Sequence, residues 1–304
     1  MSKASFEVEF ETPVTDAISR IRFAPHSNNL LISSWDSILR LYDVENSVLR
    51  LEAPSEAALL DCVFQDELVA FAAASDGLIR RYDLHSGIIY TMGSHDDTAT
   101  CTGYCNELGV LITSGFDKKI LLWDIRTGKV LHCLRNLGSE VDSISVSGFN
   151  MTVAIGTFVH IYDLRHFNQP VQSKEPHKGA QIRCVSSVPY SDGYAVGSVD
   201  GRVALQISSS GSNHIGYTFR CHPKSEDGRH YFSSVNDIIF NPVVSGAFVT
   251  GDNEGYVTIW DAGSRKRLIE FPKYPNSVAS LSYNHEGQLL AVASSYTYQE
   301  AREM

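Results

Sequence analysis

Short apolar runs alternate with turn residues along the whole chain, and they come in sets. One set reads ISRIRF, LLDCVF, TCTGYC, VDSISV, IRCVSSV, VNDIIF and VASLSY. Each is followed by a second run: LLISS, LVAFAA, VLITSG, VAIGT, GYAVGS, FVTGD and LLAVASS. The runs are short, rich in β-branched residues and bounded by Gly, Asp, Asn or Ser. That pattern predicts antiparallel strands rather than helices.

A third run closes most sets. SSWDSILRLYDV (33–44) is one unit; AASDGLIRRYDL (73–84) and SGFDKKILLWDI (114–125) repeat it. The closing positions are Asp43, Asp83, Asp124, Asp163, Ile207 (a degenerate match) and Asp261, spaced by 40, 41, 39, 44 and 54 residues. A period near 40 with Trp-Asp or Tyr-Asp endings is the signature of a WD-repeat propeller, whose four-stranded blades bury their faces only by stacking around a ring. The predicted fold is therefore all-β, a seven-bladed propeller forming a single domain over residues 1–304. The last blade is thin, because little chain follows its second run. The N-terminal FEVEFET is expected to supply its outer strand and remove an open edge.

A second acid recurs seven residues before the closing one, at Asp36, Asp76 and Asp117; Asp200 and Glu254 hold the same place in units five and six. A short acid there can bond the backbone of its own turn. His95, in GSHDD, is expected to join Asp117 and Trp123 in a structural hydrogen-bond network rather than to act in catalysis.

Composition narrows the functional classes. The 304 residues are 20% charged and 43% hydrophobic, with a formal charge of -10, which argues against general attraction to nucleic acid or membrane surfaces. Six cysteines, with no C-x-x-C pair and no zinc-type cluster, read as buried free thiols of a reducing compartment. MSKASFEVEF has no apolar signal core and no run is long enough to span a membrane, so a cytosolic or nuclear protein is expected. No acid–base constellation, nucleophile motif or phosphate-cradling loop is present; the chain is read as a non-enzyme without cofactor or metal.

Taken together, SSWDSILRLYDV, YTFRCH, VNDIIFNP, GYVTIWD, YPNSVASLSY and LAVASSYTY resemble the BUB-type spindle-checkpoint propellers over nearly the whole chain. The resemblance implies a scaffold that carries GLEBS-type segments of checkpoint kinases across one face. It also implies reading of phosphothreonine in Met-Glu-Leu-Thr repeats of a kinetochore scaffold, contact with inhibitors of the anaphase-promoting complex, and residence in the nucleus and at kinetochores with a cytoplasmic pool. Turns between second and third strands share one face of a propeller, so Trp35, Phe116, Asn253 and Glu254 are candidate peptide-binding residues. Arg202 and Arg220 match family positions that meet acidic or phosphorylated peptide, and arginine offers a fork suited to phosphate. This sequence departs from the family in several places. Phe116 stands where a Trp is usual, Pro223 follows RCH, the fourth turn is shortened at IGTFVHIYD, and the acidic linker and final strand after SSYTY are missing. The polar stretch from Arg220 to Ser234 reads as an inserted loop on the same face. Two other readings stand beside this one: a nucleoporin-binding mRNA-export adaptor of the sister propeller family, and a cullin-type ubiquitin-ligase substrate receptor, suggested by LLWDIR (121–126) and IYDLR (161–165).

Overall fold

The computed structural model describes residues 8, 14–208, 215–221, 224–226, 229–231 and 233–296. Every regular element among them is a strand. Six four-stranded antiparallel sheets follow in sequence order, each built from four consecutive strands. The first, for example, pairs Ile18–Phe23, Asn29–Ser34, Ile38–Asp43 and Val48–Pro54 in that order. The expectation of seven blades is corrected here. Among the described residues there are six complete blades, and the seventh place holds a two-stranded sheet of Val278–Tyr283 and Leu290–Ser294. The seventh set of runs contains only those two strands, and the FEVEFET strand expected to complete it lies outside the described residues apart from Val8. Val8 packs against a cluster shared by blade one (Ile21, Ile32, Tyr42) and the two-stranded sheet (Ala291, Ala293). The inserted stretch is also not a plain loop, since Lys224–Glu226 and Arg229–Tyr231 pair as a small hairpin.

The core lies between blades rather than within them. Leu39, Leu41 and Ala53 of blade one, for instance, pack with Leu59, Cys62 and Ala72 of blade two. All six cysteines are free thiols, and only Cys133 is not buried. Burial pushes Cys62 and Cys221 up to about 12, so neither is a thiolate at neutral pH.

The innermost strands are Ile18–Phe23, Leu59–Phe64, Ala99–Cys105, Val141–Ser147, Ile182–Ser187, Val235–Phe240 and Val278–Tyr283. They surround a channel of about 430 Å³. Each carries the same irregularity: the register slips at its second residue, namely Ser19, Leu60, Thr100, Asp142, Arg183, Asn236 and Ala279. A bulge of this kind bends the strand and re-aims one side chain at the rim.

Each inner strand pairs on one edge only, so its other N–H groups need partners. The neighbouring blade's side chains supply them. Ser280 Oγ and Ser282 Oγ accept from Ile21 N (3.3 Å) and Phe23 N (2.9 Å). Ser143 Oγ and Ser145 Oγ accept from Val185 N (3.2 Å) and Ser187 N (2.8 Å). Asp61 Oδ2 accepts from Thr102 N and Asp237 Oδ2 from Leu281 N, both at 2.8 Å. Arg20 then joins the two acids, with Nε 3.0 Å from Asp61 and Nη1 3.4 Å from Asp237. Burial works against its charge, but the two carboxylates outweigh that and hold the guanidinium above its ordinary range.

Arg20→Met is expected to destabilise the protein by about 3 kcal/mol, because Asp61 and Asp237 would be left as nearly buried, uncompensated charges. Urea unfolding measures this; an unchanged midpoint would show that the ring closes without the arginine.

Candidate peptide-binding face

The turns between second and third strands lie where the inner strands begin, and backbone bonds fix each to that point. Trp35 N donates to Ala17 O at 2.9 Å, Phe116 N to Thr98 O at 2.9 Å, Val199 N to Gln181 O at 3.1 Å and Asn253 N to Ser234 O at 3.0 Å. Trp35, Phe116, Asn253, Glu254 and Arg202 are therefore on one face, as expected. The residue after each turn acid has positive φ: Ser37, Gly77, Lys118, Gly201 and Gly255. At Gly77 the glycine is also sterically required, since a Cβ there would lie 2.8 Å from the Asp97 carbonyl oxygen.

Asp36, Asp76 and Asp117 each accept from a backbone N–H of their own turn, and each is held by a further side chain. Asp36 accepts from Ile38 N (3.1 Å) and pairs with Arg40 (2.8 Å), whose guanidinium is fully buried and also bonds Glu52. Asp76 accepts from Leu78 N (3.0 Å) and is gripped by both Nη atoms of Arg80. That grip holds its carboxyl below the usual range, against the opposing effect of burial. Asp117 receives His95 Nδ1 at 3.0 Å, and His95 Nε2 lies 2.8 Å from Thr113 Oγ1. Trp123 Nε1 donates to the same Thr113 oxygen at 2.8 Å. Because the Asp117 carboxylate only accepts, the neutral imidazole carries its proton on Nδ1, so Nε2 accepts the Thr113 proton while the Thr113 oxygen accepts from the indole. Burial lowers the His95 pKa in spite of Asp117, so it is neutral at physiological pH and serves as a strut.

Two turns differ from the sequence reading. In blade six the acceptor is Asp252, not Glu254: Asp252 Oδ1 receives Glu254 N at 2.9 Å and Tyr256 N at 2.8 Å. Asp252 ends the second strand two residues earlier, and counting back from the closing acid missed it. Glu254 points instead toward Lys273, 3.9 Å away. In the shortened fourth turn, the bulge residue Asp142 replaces the missing acid, accepting from Gly156 N and Gln181 Nε2 at 3.0 Å each. The closing acids Asp43, Asp83, Asp124, Asp163 and Asp261 cap the opposite turns by accepting from Asn46, His85, Arg126, Arg165 and Gly263 N–H groups. Arg126 and Arg165, the basis of the ligase-receptor reading, are on that opposite side, and Arg165 forks onto Asp163.

Blade five holds the two candidate phosphate-binding residues. Arg202 begins its third strand and Arg220 ends its fourth, and they are direct cross-strand partners. Arg202 Nε lies 2.6 Å from Asp200 Oδ2. Arg40 and Arg80 stand four residues after their acids and are buried. Arg202 stands two after its acid, and its side chain is 27% exposed. The same face carries apolar side chains, three of which the sequence reading did not single out. Phe116 (48% exposed) is joined by Phe158 (44%), Val199 (38%) and Tyr296 (65%). Trp35 is half-buried. The signal for Val199 was present: it precedes its turn acid as Trp35 and Phe116 precede theirs.

The fold and these turns define a WD-repeat β-propeller, and residues 6–43 match the family model "WD domain, G-beta repeat". The chain is 54% identical to the mitotic checkpoint protein BUB3.3 of Arabidopsis thaliana, covering 97% of this chain and 95% of that one. It is 40% identical to BUB3.1 of the same plant, over 97% and 88%, and 36% identical to the mitotic checkpoint protein bub3 of Dictyostelium discoideum, over 97% and 90%. The chain belongs to the BUB3 family of mitotic checkpoint WD-repeat proteins.

Thr113→Val should destabilise the protein by about 1–3 kcal/mol, since it strands His95 Nε2 and Trp123 Nε1 in a buried site; chemical denaturation checks this. The Asp76 pair contributes stability that is fully present above the unfolded carboxyl pKa of about 4 and is lost as pH falls through the depressed folded value. Asp76→Asn should accordingly flatten the acid limb of the stability profile.

Proposed function

We propose that this chain is a spindle-checkpoint scaffold whose turn face carries an extended peptide segment on its apolar side chains and reads a phosphothreonine at Arg202 and Arg220. Its family is that of mitotic checkpoint proteins, and it acts in that checkpoint. The reading favours the checkpoint over mRNA export or ubiquitin ligation, places its work at kinetochores in the nucleus, and assigns it no catalysis. Partners in this reading are checkpoint kinases bearing GLEBS-type segments, a phosphorylated kinetochore scaffold and inhibitors of the anaphase-promoting complex.

The single observation that carries the phosphate reading is the Arg202–Arg220 cross-strand pair. Like charges directly opposite one another destabilise a sheet. Arg202 is already paired with Asp200, yet two arginines opposite one another put two guanidinium forks at one place on the rim, which suits an anion. A phosphate carrying roughly -1.5 to -2 charges matches two guanidinium forks. Apolar residues on the same face offer the anchors a peptide needs; Trp35 and Phe116 are the candidates from blades one and three.

Calorimetry with phosphorylated and plain Met-Glu-Leu-Thr peptides tests the phosphate site. The phosphorylated form should bind more tightly, with an advantage that shrinks as salt rises. Arg220→Glu should abolish that preference, and equal binding of both forms to the wild type would refute the site. Trp35→Ala should weaken a GLEBS-type segment by about 1–3 kcal/mol without altering the melting temperature. Unfolding of that variant would identify Trp35 as a packing residue instead.

A further inference from the structure

Counted from the bulge at its second residue, each inner strand places its residues in layers around the channel. The third-residue layer holds Arg20, Asp61 and Asp237. Side chains alternate along a strand, so the next layer facing the same way comes two residues and about 7 Å further on. It contains Arg22, Ser145, Ser186 and Ser282, and its other three positions carry no polar side chain. All seven residues of this layer line the channel.

The layer is rich in donors and poor in acceptors. Arg22 is half-buried, and its guanidinium makes neither a hydrogen bond nor an ion pair among the described residues. The acids one layer away do not reach it. Asp237 is the one carboxylate among the described residues that line the channel. Its Oδ1 is taken by Ile238 N, and its Oδ2 by Leu281 N, Ser280 Oγ and Arg20. Asp61 is likewise filled by Cys62 N, Thr102 N and Arg20. Burial, and then the like charge of Arg20, weigh against the Arg22 cation, and the two acids do not outweigh them. The serines add donors. Ser145 Oγ and Ser282 Oγ already accept the N–H groups of Ser187 and Phe23, and neither hydroxyl donates to a group among the described residues. Ser186 makes no side-chain hydrogen bond among the described residues either, and the buried Thr102 hydroxyl one residue earlier has no partner.

The channel, at about 430 Å³, is within the range of small-ligand pockets. Arg22 also borders a smaller hollow of about 160 Å³ together with Pro25, Gln65 and Asn106. Those three follow the ends of their inner strands, whereas the peptide-binding turns lie where the inner strands begin. The way to Arg22 is therefore from the opposite face. A guanidinium fork beside hydroxyl protons that lack an acceptor suits a tetrahedral oxyanion, which has acceptor sites on every side.

We propose that this layer is a binding site for a small phosphate-type oxyanion, which enters by the mouth opposite the peptide-binding face and takes the fork of Arg22 and the channel hydroxyls of Ser282, Ser186 and Ser145. Arg22 and Ser282 belong to blades one and seven, so the ion sits at the junction where the ring closes and stabilises the folded chain when bound. The site is independent of Arg202 and Arg220.

The test is titration calorimetry of inorganic phosphate into the full chain, with thermal unfolding in phosphate, chloride and acetate at matched ionic strength. Wild type should bind phosphate and melt higher in it than in chloride or acetate. Arg22→Gln should bind phosphate about tenfold or more weakly and lose the phosphate-dependent rise, while melting no lower than wild type in chloride, since no bond goes with the side chain. Ser186→Ala, which removes a hydroxyl without a partner, should weaken phosphate roughly fivefold and leave the chloride melting temperature unchanged. Arg220→Glu should keep the phosphate-dependent rise, and Arg22→Gln should bind a phosphothreonine Met-Glu-Leu-Thr peptide as wild type does. Those two results separate the channel from the turn face. An equal rise in acetate, an undiminished phosphate affinity in both Arg22→Gln and Ser186→Ala, or loss of the rise in Arg220→Glu would overturn the proposal. Should Arg22→Gln fail to fold, Ser186→Ala decides: phosphate affinity equal to that of the wild type would overturn it.

Discussion

The ring depends on one shared cation. Arg20 of blade one reaches Asp61 of blade two and Asp237 of blade six, across the mouth of the two-stranded seventh sheet. Each carboxylate also holds a backbone N–H of the next inner strand, at Thr102 and Leu281. One guanidinium thus links five of the seven positions around the channel through charge-assisted bonds. A propeller closes where its first and last units meet, and that junction is the one no continuous chain between successive blades holds together. The serine pair Ser280 and Ser282 seals the same junction by capping two N–H groups of blade one. These polar contacts add directional constraint at the place where apolar packing alone is least able to set the angle between blades.

With the ring fixed, the turn face becomes a set of interchangeable sites. The same acid meets a buried arginine in blades one and two, a neutral histidine in blade three and a half-exposed arginine in blade five. The difference between Arg80 and Arg202 is a spacing of four against two residues. On a strand both spacings put the side chain on the same side as the acid, but two residues leaves it at the strand's end, where solvent can reach it. The exposure of an arginine is therefore set by its position along a strand, with no change in residue type.

Much of this was legible in the sequence. The repeat period, the strand order, the structural duty of Asp36, Asp76 and Asp117, and the His95–Asp117–Trp123 network all follow from local pattern, because turn geometry and strand alternation are set by residues close in sequence. The adjacency of Arg202 and Arg220 was legible too, since a hairpin register brings a strand's first residue to its partner's last. The acid at Asp252 was not, because the turn in blade six carries an acid at two places and only the backbone decides which one accepts. Thr113, which joins His95 to Trp123, escaped for a related reason: a threonine inside an apolar strand gives no sign of what stands across from it.

The sequence alone, then, determined the fold class and the face on which the candidate residues lie, since both follow from periodicities of two residues and of about forty. The count of complete blades among the described residues, the Arg20 clasp and the fourth turn's recruitment of Asp142 were decided only by tertiary structure. Each joins residues from separate repeats, some more than 200 positions apart as in Arg20 and Asp237. Nothing in a single repeat states which neighbour its inward side chains will meet, because closing the ring is what brings them together.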